Sequence, residues 1–180
     1  VTCAGRFGRQ ADIDVFILTG FADISQTSDV PWPKRETTNE PRLGDLAEIR
    51  VGTVVPHRDE KKGPWLRYFT ANELPPWELV EQGKKRRVSS TTFEPPLVAI
   101  RRTSSPSDRQ RPIGSIIGGQ TNVALENHLI AVIPKDKKLS TCRAILKLLQ
   151  NPGTRKFLDD EIRCRHLTVG SLKAIPTKTQ

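Results

Sequence analysis

The chain has 180 residues, of which 36% are hydrophobic and 27% charged, and a formal net charge of +9. That length supports one domain with a real core plus a small appendage, and the apolar share fits a globular protein with long polar loops. No run approaches the roughly 18 apolar residues of a membrane-spanning helix, and the N-terminus lacks the basic head and apolar core of a signal peptide.

Three cysteines, Cys3, Cys142 and Cys164, are too few and too scattered for a disulfide framework, so a reducing, cytoplasmic setting is expected. The charge is uneven: residues 1–40 hold four Lys/Arg against six Asp/Glu, and residues 41–180 hold 25 against 14. A basic surface raises both encounter rate and affinity for polyanions, so the second part is expected to meet nucleic acid.

Residues 11–18 (ADIDVFIL) read as a strand with no partner nearby, its apolar end suited to burial on both faces. From Ala22 to Pro41 the chain turns to Ser, Thr, Asp, Pro and Asn, the composition of a linker. Residues 1–21 are therefore expected to close a domain lying mostly upstream, and the lack of any Met, initiator included, supports the expectation of a fragment.

A new unit is expected from Arg42. Leu43, Leu46 and Ile49 fall at helical spacing, and Val51, Val54 and Val55 then take strand character. After a charged loop over 56–64, strands are predicted at Trp65–Phe69, Leu97–Ile100, Ile113–Ile117 and Leu129–Ile133. Ser140 is placed to cap a helix bearing Ile145, Leu146, Leu148 and Leu149, which Asn151, Pro152 and Gly153 stop. Thr154 is placed to cap a second helix through Phe157, Leu158 and Ile162, and the tail Leu167–Pro176 is spaced to dock on the core. The expected fold class is α+β, a twisted mixed β core with two C-terminal helices.

The densest chemistry lies between Lys84 and Arg111, with eight Lys/Arg and two acids, Glu94 and Asp108. A strand that ends in Arg101 and Arg102 and runs into Ser104, Ser105, Arg109 and Arg111 offers guanidinium forks and hydroxyls, the groups that read base edges and hold phosphates. Lys84, Lys85, Arg86 and Arg87 are expected in a loop as diffuse, phosphate-neutralising charge. Arg163 and Arg165 share one face if extended and are expected as supporting phosphate contacts, with ion pairs to Asp159, Asp160 or Glu161 as the alternative.

Catalytic constellations are thin. Cys142, Cys164 and His166 lack the paired spacing of a structural zinc site, and His57 and His128 stand alone. Asp45 with Glu60 and Lys62 loosely matches a Mg²⁺ nuclease, although Glu60 sits in a loop that would not hold ligand geometry. Gly118-Gly119-Gln120 is better explained as a turn. Leu74-Pro75-Pro76-Trp77 has the prolines and aromatic of the adenine-flipping tetrapeptide, but Leu74 cannot accept the amino-group hydrogen bond that chemistry needs. No glycine-rich loop after a strand is present to cradle S-adenosylmethionine or a nucleotide.

Several segments carry a resemblance. Pro95 to Asp108 (PPLVAIRRTSSPSD), Asn127 to Val132 (NHLIAV), and Ile162 to Val169 with Leu172 are similar to the C-terminal part of adenine-N6 DNA methyltransferases of restriction–modification systems. Gly8 to Leu18 resembles the close of the catalytic domain there, and Arg42 to Gly52 (RLGDLAEIRVG) the start of a target recognition domain in type I specificity subunits. The resemblance implies that residues 1–21 end a catalytic domain, 22–41 link, and 42–180 form a DNA target recognition domain. It also implies double-stranded DNA and the upstream methyltransferase domain as partners, with S-adenosylmethionine bound by the parent enzyme and no cofactor here. The rivals left open are a Mg²⁺ nuclease and a basic module for RNA or protein.

Overall fold

A computed structural model describes residues 2–6, 14–17, 40–103, 111–161 and 166–178, and the chain divides into two units, Val1–Glu40 and Pro41–Gln180. In the first, β1 (Thr2–Arg6) and β2 (Asp14–Ile17) pair antiparallel, with a register shift between Cys3 and Gly5. The strand expected over 11–18 is thus described at its centre, and it has a nearby partner that its own sequence did not announce.

The second unit begins with a single helical turn, α1 (Leu43–Leu46), followed at once by β3 (Ala47–Val51). The helical spacing of Leu43, Leu46 and Ile49 was misleading at its last member. Ile49 lies in the strand, alternating inward with Ala47, because the chain turns extended at Ala47. Strands β4 (Trp65–Phe69), β5 (Leu79–Val80), β6 (Lys84–Arg87), β7 (Leu97–Arg101), β8 (Gly114–Ile117), β9 (Val123–Leu125) and β10 (Leu129–Pro134) follow. The helices α2 (Leu139–Gln150), α3 (Pro152–Glu161) and α4 (Val169–Lys173) end the unit.

Five strands form a sheet in the order β3-β10-β7-β8-β5, antiparallel except for the parallel β5–β8 pair. A smaller sheet has the order β6-β4-β9, with β4 antiparallel to β6 and parallel to β9. Strands β7 and β10 are buried on both faces. One face of the large sheet presents Val98, Ile100, Ile130 and Val132 to Cys142, Ile145, Leu146 and Leu149 of α2 and to Leu158 and Leu172 beyond. The other face presents Leu97, Ala99, Leu129 and Ala131 to Phe69, Phe93, Val123 and Leu125, so the small sheet covers the side that the helices leave bare.

Helix α2 starts at Leu139, one residue before the expected cap Ser140. The cap position is Lys138, whose side chain makes no capping bond, and Asp136 steadies the entry instead, its carboxylate accepting from the Lys138 amide at 3.1 Å and the Thr141 hydroxyl at 2.7 Å. Likewise α3 starts at Pro152, a residue suited to a first helical position because its missing N–H would have no partner there, and Asn151 Oδ1 accepts the Gly153 amide at 2.7 Å. Thr154 therefore lies inside the helix, fully buried, its hydroxyl donating to the Leu148 carbonyl at 2.7 Å and tying α3 to α2. Ile162 lies outside the described residues.

Gly52, just past β3, donates to the Leu129 carbonyl at 2.8 Å, and a Cβ there would lie 2.0 Å from the Glu126 carbonyl oxygen. At Gly170 the nearest atom to a Cβ, Thr168 Oγ1, is 3.8 Å away. Gly52→Ala is therefore expected to cost about 1–3 kcal/mol through forced backbone movement, whereas Gly170→Ala should be neutral or stabilising. Urea unfolding of the two variants checks the contrast.

Candidate nucleic-acid interface

Lys84–Arg87 does not form the loop expected from sequence. It is β6, paired residue for residue with β4: Trp65 opposite Arg87, Leu66 opposite Arg86, Arg67 opposite Lys85 and Tyr68 opposite Lys84. Four cations on an edge strand leave that edge unattractive to a second chain. Pairing also sorts them, because alternate side chains leave opposite faces of a strand.

Lys84 pairs with Glu73. Arg86 lies over the Tyr68 ring, 5.2 Å from its centroid, and donates to the Pro56 and Asp59 carbonyls at 3.4 and 3.3 Å, so it braces the charged loop over 56–64. Arg87 Nε donates to the Gly63 carbonyl at 3.0 Å, and its two terminal amino groups have no partner among the described residues. Lys85 is exposed and makes no hydrogen bond or ion pair among them. The sequence reading of this cluster as uniformly diffuse charge is thus corrected: Arg86 and Arg87 are oriented by backbone carbonyls, and Lys85 is the free charge.

Arg67 was not singled out from sequence, and its role is scaffolding. Its guanidinium donates to the carbonyls of Glu81 at 2.6 Å, Gly118 at 2.8 Å and Thr121 at 2.9 Å. A Cβ at Gly119 would meet it at 2.8 Å, and Gly119 also has φ of +98°. The glycine turn after β8 is therefore filled by arginine, which accounts for Gly118-Gly119 as a packing device and leaves no room there for a phosphate or cofactor.

Arg101 ends β7 as expected, but its Nη2 donates to the Leu74 carbonyl at 2.8 Å. The Ser115 hydroxyl holds the Pro75 carbonyl at 2.5 Å and the Trp77 amide donates to Gly114, so the Leu74–Trp77 segment is pinned across the strand ends. Arg102 is half-buried, its backbone bonded to His128 and Leu167, while its guanidinium has no partner among the described residues. Arg111 Nη1 lies 3.6 Å from Asp159, which also faces Arg155 at 3.6 Å, and the Arg111 side chain is only 10% exposed. Arg111 and Arg155 join Trp77, Pro112, Leu149 and Asn151 around a cavity of about 250 Å³. Ser104, Ser105, Arg109, Arg163 and Arg165 lie outside the described residues. Asp159 pairs with Arg111 and Arg155, both from sequence positions that the expected pairing with Arg163 or Arg165 did not include.

The catalytic alternatives gain no geometry. Among the described residues no group of three His, Cys, Asp or Glu is placed to hold a metal ion. Cys142 is buried in the core, where desolvation and then the nearby Asp136 charge push its thiol up to about 12. His166 bonds Thr103 Oγ1 through Nδ1 at 3.1 Å, and Cys164 lies outside the described residues. Asp45 spends its carboxylate on the Arg42 amide at 2.7 Å, and Glu60 pairs with Lys62 in an exposed loop. His57 and His128 are both exposed.

No protein-family model and no curated protein matches the chain. Solved structures do. A chain from a study of complex assembly and conformational transition in the type I restriction–modification system superposes with a TM-score of 0.50 at 16% identity, over 81% of this chain and 35% of that one. The HsdS subunit of Thermoanaerobacter tengcongensis gives a TM-score of 0.49 at 17% identity, over 81% of this chain and 34% of that one. The likeness is one of fold. The expected α+β fold is borne out, and the chain spans about a third of the length of these proteins.

Tyr68, the sole tyrosine, reports on the strand pair. Burial first, and then the Glu126 carboxylate, raise its phenol from 10.0 to about 12 against the opposing pull of Arg86. Because the unfolded phenol ionises near 10 and the folded one near 12, this contribution to stability is complete below 10 and is lost as pH rises through 12. Absorbance at 295 nm should show a midpoint near 12 in the native protein and near 10 in denaturant. A native midpoint near 10 would mean that the β4–β6 pair is open.

Proposed function

We propose that residues 41–180 recognise a specific sequence in double-stranded DNA, as the target-reading part of a restriction–modification enzyme. The observation that carries this reading is the sorting of cations within a fold shared with a type I restriction–modification chain. Arginines tied to several carbonyls brace the scaffold, while Arg87 and Lys85 on β6 and Arg102 just past the end of β7 keep donors without a partner among the described residues. A fork held by its Nε while its terminal nitrogens stay free is suited to bidentate contact with guanine O6 and N7 or with phosphate. Lys85, a point charge without a partner among the described residues, is suited to phosphate neutralisation.

The resemblance to adenine-N6 methyltransferases supports a division of labour in which an upstream domain transfers the methyl group and this one selects the site. S-adenosylmethionine belongs to that upstream domain on this reading. The glycine turn filled by Arg67 does not fit the cofactor, so no step here runs through it. Assembly with the catalytic part of the same enzyme follows as the second partnership.

Selection of duplexes from a random-sequence pool should enrich one motif, and log affinity for it should fall with log salt by roughly 0.9 per phosphate contacted. Arg102→Ala should cost about 1–3 kcal/mol on the enriched duplex and narrow its advantage over random DNA if the fork reads a base. Lys85→Ala should weaken both duplexes by a similar factor and shallow the salt slope. A pool that yields no motif, or affinity that ignores salt, would overturn the reading. Mg²⁺-dependent plasmid cleavage would favour a nuclease instead.

A further inference from the structure

Trp65 is 66% exposed, and it packs against none of the three core clusters. An exposed indole is ordinary on a floppy tail. This one stands on the first residue of β4, directly opposite Arg87 in the antiparallel register. The backbone that carries it is fixed on both sides. Gly63, with φ of +90°, approaches so closely that a Cβ would lie 2.3 Å from the Val88 carbonyl oxygen. The Val88 amide donates to the Pro64 carbonyl at 3.1 Å, and Val88 itself is buried. The same Gly63 carbonyl accepts from Arg87 Nε, so one short turn orients both the indole's strand and the arginine's fork.

The surroundings state what kind of partner suits this pair. Arg87 faces Trp65 across the strand pair and Lys85 lies on the same face of β6, while Arg58 and Lys61 are exposed in the loop that precedes Trp65. Lys85, Arg58 and Lys61 make no ion pair among the described residues, a setting of cations that suits a polyanion better than an apolar protein surface. An aromatic face beside cations is the pairing that nucleic acid meets with a base and its flanking phosphates. Resting on the DNA-recognition reading above, we propose that Trp65 stacks on a base at a locally opened step of the duplex while Arg87 holds the adjoining phosphate or guanine edge. The domain then distorts its target as well as reading it. Both groups are held by β-sheet pairing before DNA arrives, so little ordering of the backbone remains to be done on binding.

The test uses the whole 180-residue chain and the duplex enriched from the random pool, with 2-aminopurine placed in turn at each position of the site. Wild type should raise 2-aminopurine fluorescence severalfold at one step, the signature of unstacking. Trp65→Ala should lose that signal and about tenfold or more in affinity, while Trp65→Phe restores most of both. Arg87→Lys should bind more weakly than wild type, because a point charge does not replace a fork. Thermal unfolding of Trp65→Ala should match wild type, since the indole packs in no core.

If Trp65→Ala binds the enriched duplex with wild-type affinity and the same 2-aminopurine signal, the stacking proposal falls while sequence recognition stands. A loss of affinity with no 2-aminopurine response at any position in wild type also overturns it. So does a wild type that self-associates through Trp65 with DNA binding unaffected. Failure of the pool to yield any motif removes the recognition reading itself, a separate result.

Discussion

Strands β7 and β10 send apolar side chains to both faces of the central sheet, and neither face can be left to water. Val98, Ile100, Ile130 and Val132 point one way, and Leu97, Ala99, Leu129 and Ala131 the other. At about 25 cal/mol per Å² of apolar area removed from water, both sides need a cover. The α2 and α3 helices supply one and the β4–β9 pair the other. The cover divides the small sheet's residues between two clusters: Phe69, Val123 and Leu125 are committed to the central sheet, while Tyr68, Val88 and Ala124 close a minor cluster of their own.

The position of β6 follows from that arrangement. It is the edge strand of the small sheet, with little apolar surface to bury, so charge costs little there. Pairing with β4 then turns a run of like charges into an ordered set, with different carbonyls, rings and carboxylates taking different members. The same accounting applies at the end of β7, where the Leu74 carbonyl occupies part of Arg101, while the Arg102 guanidinium beside it has no partner among the described residues. A domain that must present cations rigidly meets the cost of crowding them by tying some to the backbone. The remainder gain direction from their neighbours.

Much of the core was legible in sequence. The continuous runs at 97–100 and 129–133 and the apolar stripe of α2 gave strands and a helix where the structure has them, because burial on two faces or one stripe leaves a direct hydrophobic pattern. Strands β5, β6 and β9 were missed for an equally physical reason. They have two, four and three residues, and Lys84–Arg87 carries no apolar period at all. Cap positions slipped because α2 starts after Lys138 with no side-chain cap and Asn151 does the work expected of Thr154, since several short polar residues near a helix start compete for that role.

The sequence by itself determined the balance of forces: a net charge of +9 concentrated after residue 40, two strands too apolar to be exposed, and a C-terminal helical cover. It also carried the resemblance to restriction–modification proteins. Only the tertiary structure decided which cations are tied to the backbone and which have no partner among the described residues. Arg67, Arg86 and Arg101 are bound by carbonyls from residues up to 54 positions away, and Trp65 stands against Arg87, 22 positions on in sequence, because β4 and β6 pair antiparallel. A hydrogen bond to a backbone carbonyl depends on where the chain passes and not on what residue passes there, so no local pattern could have shown these partnerships.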